Sequence, residues 1–429
     1  MDSENYYENK DLKEKSLKLH EENRGKLTLE PKVPITNYQQ LSLAYSPGVA
    51  EPSKIISKYP EKVNLYTSRG NSVAVLSDGS AVLGLGNIGA KAALPVMEGK
   101  AILFKRFAGV DAFPICLDTQ DPDEIVKIVK LLEPTFGGIN LEDISAPRCF
   151  YIEENIKKES EIPVFHDDQH GTAVVVGAAL INACRLLKKE IEKLKVTIIG
   201  AGAAGITVGN FLLDLGVKTL IVCDSKGIVY SGRDEGMNPY KENLAKRGNR
   251  DNIKGIMEDA IKDSDFLIGL SVGNIVTKDM VKTMAPGPVV FALANPIPEI
   301  HPKLALEAGA VIVGTGRSDF PNQINNVLCF PGIFRGALDV CAKEINFNMK
   351  RTSTYAICNI ISEKELKPDY IIPKVFNPDV APLVAYAAAK AAIETGVSIK
   401  PLDPEKIKKR TYELTKKYWK NLTISPKIR

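Results

Sequence analysis

Two acidic pairs carry most of the chemistry that residue type and spacing suggest. Glu142-Asp143 stands in Ile-Asn-Leu-Glu-Asp-Ile-Ser, and Asp167-Asp168 in Val-Phe-His-Asp-Asp-Gln-His-Gly-Thr-Ala. Each pair follows a short apolar run, as expected at the C-terminal end of a strand, where ligands gather in α/β proteins. Taken alone, such a pair is more often a solvated loop or a helix cap. Three or more converging carboxylates without a thiolate suit a hard divalent ion, Mg²⁺ or Mn²⁺. His166 and His170 flank the second pair, but no thiolate or third imidazole stands nearby to favour zinc.

A second constellation is a dinucleotide-binding unit. Lys195-Val-Thr-Ile-Ile-Gly-Ala-Gly-Ala-Ala-Gly205 reads as a strand, a glycine turn and the start of a helix. Gly200 permits the turn, Gly202 lets the backbone approach a pyrophosphate, and Gly205 lets the helix pack on the strand. The free N–H groups of the helix start, through Ala203 and Ala204, then face the phosphates. A second strand delivers Asp224, about 20 residues beyond the fingerprint, where a carboxylate accepts hydrogen bonds from a ribose. Asp224 favours NAD because it repels the 2′-phosphate of NADP, whereas Lys226 offsets that repulsion, so NADP stays open. Gly84-Leu-Gly-Asn-Ile-Gly89 repeats the glycine spacing, but no ribose-binding acid follows at the expected distance, which falls near Ala108. It reads as a structural turn or one lining the substrate pocket.

The elements that position these groups fall into two rhythms. Up to about Glu161, helical patterns mix with short apolar runs such as Ser72–Leu76 and Ala112–Leu117. From Lys195 onward, runs at Val196–Ile199, Leu220–Cys223, Phe266–Leu270, Val289–Leu293 and Val311–Val313 alternate mostly with helix-length segments. That alternation predicts a Rossmann-like, doubly wound parallel sheet with both faces covered. Gly171–Lys193 reads as a helix between the two regions, and Leu383–Thr395 and Pro404–Trp419 as two more. The last is basic through Lys406, Lys408, Lys409, Arg410, Lys416 and Lys417, which reads as a solvated face before a partner-binding patch.

At 429 residues the chain exceeds one comfortable core, so two or three domains are expected. A formal charge of +4 over that length gives no reason to expect nucleic acid. The 7 cysteines are odd in number and scattered, as reduced thiols are, not as a disulfide framework. Met1–Lys15 is polar and carries Asp2, Glu4, Glu8, Asp11 and Glu14, unlike a secretory signal or an organelle presequence. No apolar run approaches the roughly 20 residues of a membrane span. The expectation is a cytoplasmic protein with no membrane partner.

Several segments together resemble malic enzyme. They are Ala44-Tyr-Ser-Pro-Gly-Val-Ala50, Ser77-Asp-Gly-Ser-Ala-Val-Leu-Gly-Leu-Gly86, Pro95-Val-Met-Glu-Gly-Lys100, Phe165 to Ala173, Ala294-Asn-Pro296 and Asn322 to Gly332. Their order and spacing follow the family from about Leu19 to Lys400, in the compact prokaryotic form. The resemblance implies oxidative decarboxylation of L-malate to pyruvate and CO₂ with reduction of NAD(P)⁺. It makes Glu142, Asp143 and Asp168 the metal ligands, Lys100 the general base and Tyr45 the general acid. Asp167 would orient Lys100. Asn295 and Asn326 match positions that hydrogen-bond malate, and Asn295 also borders the cofactor. The implied architecture is an α/β substrate domain over 1–163, a Rossmann-like domain over 164–380 and a C-terminal helical segment over 381–429, assembled as a homodimer or higher homo-oligomer.

Two departures from the longer relatives stand out. Where they carry an arginine that clamps a malate carboxylate, this chain has Ala81. Arg69, Arg106 and Arg148 are the alternatives for that cation. Asn87 replaces an acidic residue after Gly-Leu-Gly. Two other functions remain open at this point: a metal-dependent 2-hydroxy acid dehydrogenase that does not decarboxylate, and an inactive nucleotide-binding regulator.

Overall fold

The computed structural model describes residues Lys10–Trp419; the polar stretch before Lys10 and the end of the chain lie outside them. Four strands, β1 (Ser72–Ser77), β2 (Asp111–Cys116), β3 (Gly138–Leu141) and β4 (Val164–His166), form a first sheet in the order β2-β1-β3-β4. All its neighbours run parallel. β1, β3 and β4 are buried along their whole length, which is why they read as unbroken apolar runs and not as alternating ones. Register decides the site. Leu76 lies opposite Leu141, and Leu141 opposite His166. The two acidic pairs therefore leave adjacent strands at the same level.

The second sheet contains β5 (Lys195–Ile199), β6 (Thr219–Asp224), β7 (Gly227–Ile228), β8 (Phe266–Gly269), β9 (Val289–Ala292) and β10 (Ile312–Thr315), in the order β10-β9-β8-β5-β6-β7. Five strands are parallel, as expected. The sixth, β7, departs from the expectation: it is a two-residue edge strand antiparallel to β6. The chain leaves β5 for β6 on one side and returns to β8 on the other. That reversal opens a crevice at the C-terminal ends of β5 and β8, where α/β sheets bind ligands.

Between the sheets lies the helix Thr172–Leu187, preceded by a wide turn over Asp167–Gly171. It stops earlier than the sequence pattern suggested because Lys188 turns into the left-handed region, φ 54°. Read together, Asp167–Leu187 is 21 residues whose most apolar 18-residue window has a mean hydropathy of 1.4, long and apolar enough to cross a membrane by length and composition, contrary to the sequence reading. Of that window 72% is buried inside the protein. It is a core helix whose alanines and glycine hide its apolar length.

Two helices close the fold. Val380–Glu394 packs on Phe330–Asp339 at close range, since a Cβ on Gly332 would lie 2.7 Å from Val384 Cβ. Pro404–Trp419 buries Ile407, Thr411 and Thr415, one turn apart along one stripe, and leaves most of its basic residues outward. Its last ring, Trp419, lies 5.9 Å from Phe107 at the end of the helix Ala90–Ala108, so the C-terminal segment braces the first sheet.

Candidate active site

Lys100 occupies the buried stripe of the helix Ala90–Ala108, between Met97 and Phe104. Its Nζ lies 2.6 Å from Asp167 Oδ2 and 2.7 Å from Glu142 Oε1, and 4.3 Å above the ring of Phe330. Burial alone would lower the lysine pKa; Asp167, then Glu142 and Asp168, outweigh it and hold the pKa above the ordinary value. Glu142 is further fixed by Asn140, whose Nδ2 donates to Oε2 at 2.8 Å.

Glu142, Asp143 and Asp168 bring carboxylate oxygens within 4.8 Å of one another. Asp143 reaches that cluster through a left-handed turn, φ 54°, and its own N–H donates to Asp168 Oδ2 at 2.8 Å. Burial and then the charge of Asp168 push Asp143 up to about 8. Glu142 is pushed well above its usual range, first by burial, and Asp167 up to about 6. Asp143 Oδ2 is buried with no hydrogen-bond partner. Four carboxylates around one ammonium, with an orphaned oxygen among them, fit a divalent cation held by oxygen. Of the two histidines, His170 bonds Glu153 and Lys350 outside that group, whereas the fully buried His166 borders it, with Nδ1 3.7 Å from Asp168 Oδ2.

Not every expected residue joins this cluster. Asn326 does: its side chain faces Asp167 and acts to lower that carboxyl's pKa. Tyr45 ends the helix Tyr38–Ala44, is 69% exposed, and its hydroxyl makes no hydrogen bond among the described residues. Asn295 is exposed at the end of β9, and its backbone meets the glycine turn of the first sheet. A Cβ on Gly84 would lie 2.6 Å from Asn295 O, so the loop that mimics a nucleotide fingerprint is the contact across the cleft between the sheets. Asn87, on the same loop, pairs with Gln120 at 3.0 Å.

On the nucleotide side, Gly200 turns with φ 113°, and a Cβ there would lie 2.3 Å from Leu270 O. A Cβ on Gly205 would lie 1.8 Å from Gly200 O, whereas Gly202 meets nothing within 4 Å. Gly202 precedes the helix Ala203–Asp214, whose first N–H groups, near Ala203 and Ala204, open on that free space. Asp224 is not a bare carboxylate. Arg233 grips both of its oxygens and Lys241 Nζ lies 2.6 Å from Oδ2. Burial would raise its pKa, but these bonds win and hold it at about 2. Lys226 turns away to Glu235. Arg233 and Lys241 were missed in the sequence because they lie in the loop and helix after β7, which fold back onto β6. Asn140 and Phe330 were missed as well. The signal for Asn140 was a polar residue inside a buried strand.

Fold and site together are those of a nicotinamide-dependent oxidoreductase with a cluster of three carboxylates beside a buried lysine. Family models for the malic enzyme N-terminal domain and the malic enzyme NAD binding domain match residues 24–157 and 169–393. The chain belongs to the malic enzyme family. It is 59% identical to a bifunctional malic/malolactic enzyme of Bacillus subtilis (strain 168), over 94% of this chain and 98% of that protein. It is 49% identical to an NADP-dependent malic enzyme of Escherichia coli (strain K12), over 91% of this chain and 54% of that longer protein. The crystal structure of malic enzyme from Pyrococcus horikoshii superposes with a TM-score of 0.91 at 47% identity, covering 96% of this chain and 97% of that one.

Proposed function

We propose that this protein oxidatively decarboxylates L-malate to pyruvate and CO₂ and reduces NAD(P)⁺, using Mg²⁺ or Mn²⁺. The observation that carries the reading is a buried lysine wedged between Asp167 and Glu142, beside a three-carboxylate cation site, facing a dinucleotide fold. Glu142, Asp143 and Asp168 would hold the cation, which when bound polarises the C2 oxygen and accepts the electrons left as CO₂ departs. Lys100 Nζ takes the C2 hydroxyl proton during oxidation and returns it to that oxygen when the enol forms. Asp167 aims the lysine, and the Asn295 and Asn326 amides bind malate. Tyr45 supplies the C3 proton as Lys100 takes the enol proton back from the C2 oxygen.

A product assay tests the reading. Purified protein with Mn²⁺, malate and either dinucleotide should form pyruvate and reduced nicotinamide. Oxaloacetate as sole product would make it a simple dehydrogenase, no reduced nicotinamide would favour a regulator, and lactate would mark a malolactic reaction, as the name of the Bacillus relative suggests.

Both dinucleotides are accepted in this reading, because Arg233 and Lys241 mask the charge of Asp224 that would repel a 2′-phosphate. Lys241→Gln should raise the NADP KM about tenfold, the worth of one hydrogen bond to a charged group, and leave the NAD KM nearly unchanged. Equal change in both would assign Lys241 to structure.

The assembly is a homodimer or higher homo-oligomer that covers the N-terminal segment. Leu29, Tyr38 and Leu43 are 83%, 88% and 72% exposed there, and no helix from Tyr38 to Tyr66 buries a residue. An apolar face of that extent is unusual on a monomer. Tyr45 lies on it, so the general acid depends on assembly. Leu43→Glu should shift the mass by light scattering toward monomer; an unchanged mass removes this face from the interface. We also propose a three-part division with the second boundary near 380 and the first moved from 163 into the 167–194 stretch, because β4 is bonded into the first sheet.

A further inference from the structure

The family arginine that clamps malate is Ala81 here, and a cation is needed in its place. The sheet geometry separates the candidates. Arg69 precedes β1, and Arg106 ends the helix that precedes β2, so both lie at the N-terminal edge of the first sheet. The metal ligands follow β3 and β4, at the opposite edge. Arg69 donates to Glu133 O at 3.0 Å and to Asn64, while the Arg106 guanidinium stacks 4.7 Å above Trp419.

Arg148 is at the C-terminal edge. Its guanidinium donates to Asp78 Oδ2 at 3.1 Å, to Ser145 Oγ at 2.9 Å and to Gln120 O. Those three partners follow β1, β3 and β2. Asp78 in turn accepts from Ser80 N and Oγ, and Ser145 N donates to Ser80 Oγ. Ala81 N donates to the carbonyl of the metal-site residue Asp143 at 2.9 Å. The guanidinium thus meets the very loop on which the relatives place their arginine. Neighbouring strands lie about 4.8 Å apart, so a group above the end of β1 is within one small dicarboxylate of the cation site above β3. Of the five N–H donors of an arginine, two, Nε included, have no partner among the described residues.

We propose that Arg148 binds the C1 carboxylate of malate, the one retained in pyruvate. This rests on the malic enzyme reading. The chemistry selects the carboxylate. A cation on the C4 carboxylate would stabilise a charge that vanishes as CO₂ leaves, favouring the ground state over the transition state. On C1 the charge persists through the reaction, so a cation there adds binding without opposing decarboxylation. The neutral amides Asn295 and Asn326 suit C4, and Asn326 sits on the Asp167 side of the site, away from Arg148.

Oxalate carries the C1 carboxylate next to an oxygen that reproduces C2–O, and lacks a third acidic group, so it reports on C1 alone. In Arg148→Ala with saturating Mn²⁺, malate KM and oxalate Ki should rise together by about 10- to 100-fold, the range for a lost hydrogen bond to a charged group. The thermal shift that oxalate gives with Mn²⁺ should shrink in step. Arg148→Lys should recover part of both losses, while the dinucleotide KM and half-saturating Mn²⁺ stay within about twofold of wild type, as uniform substrate binding requires. Malate KM rising without oxalate Ki would place Arg148 on C4. Neither moving, or Mn²⁺ affinity falling alongside, would overturn the proposal in favour of a loop brace. Wild-type protein that fails to turn over malate would instead overturn the family activity itself.

Discussion

Lys100→Ala is expected to lower kcat by about 10²- to 10⁴-fold, the usual worth of a positioned general base, with malate KM nearly unchanged. The reason lies in where the ammonium sits. Nζ is 2.6 Å from Asp167 and 2.7 Å from Glu142, in a site that exposes only 9% of the lysine side chain. Without a cation the carboxylates keep Lys100 protonated, above its ordinary pKa, and a protonated lysine accepts nothing. A divalent ion held by Glu142, Asp143 and Asp168 would cancel that field and add its own repulsion, and burial would then favour the neutral amine. Metal binding and base activation would then be one event. Lys100→Arg separates charge from proton transfer: it keeps the cation between the carboxylates but cannot cycle a proton, and it should be as slow as the alanine variant. A kcat within tenfold of wild type in both would remove Lys100 as the base.

The dinucleotide unit was legible because its chemistry is local. Lys195 to Asp224 is one strand-turn-helix-strand, and the contacts that Gly200 and Gly205 answer lie within it or just beyond β8. The acidic pairs were legible as types but not as a site. What joins them is the register of Leu141 against His166, set by packing between segments that the sequence does not align. Lys100 offered a signal of its own, a lysine in phase with Met97, Ala101 and Phe104 on a buried stripe. An unpaired lysine there would be costly, so its position already implied carboxylate partners. The cations on Asp224 stayed hidden because Arg233 and Lys241 reach it only after β7 reverses the chain. The choice of Arg148 over Arg69 and Arg106 turned on which edge of the sheet each occupies, which requires the strand boundaries.

Asp168→Asn should abolish turnover, by about 10³-fold or more, on the scale of removing a central catalytic electrostatic group, and millimolar Mn²⁺ should not restore it. Asparagine keeps the shape and still accepts from the Asp143 N–H, now 2.8 Å from Asp168 Oδ2, so the loop geometry survives and only the charge is lost. Metal-free, the two proteins should differ in the opposite sense. Asp168 is among the charges that raise Glu142, Asp143 and Asp167, so removing it relieves like-charge repulsion in a buried cluster. The metal-free variant should melt at least as high as metal-free wild type. With Mn²⁺ the order reverses, since wild type gains the binding free energy and the variant gains little. A site assembled only for structure would show no such crossing, because its carboxylates would be most stable when paired within the protein. Here two carboxylate oxygens, Asp143 Oδ2 and Asp167 Oδ1, are buried without a partner, and three groups are held away from their preferred protonation. That unfavourable charge is what a bound cation would relieve. Near-normal activity in Asp168→Asn, or an undiminished Mn²⁺ shift, would take Asp168 out of the ligand set.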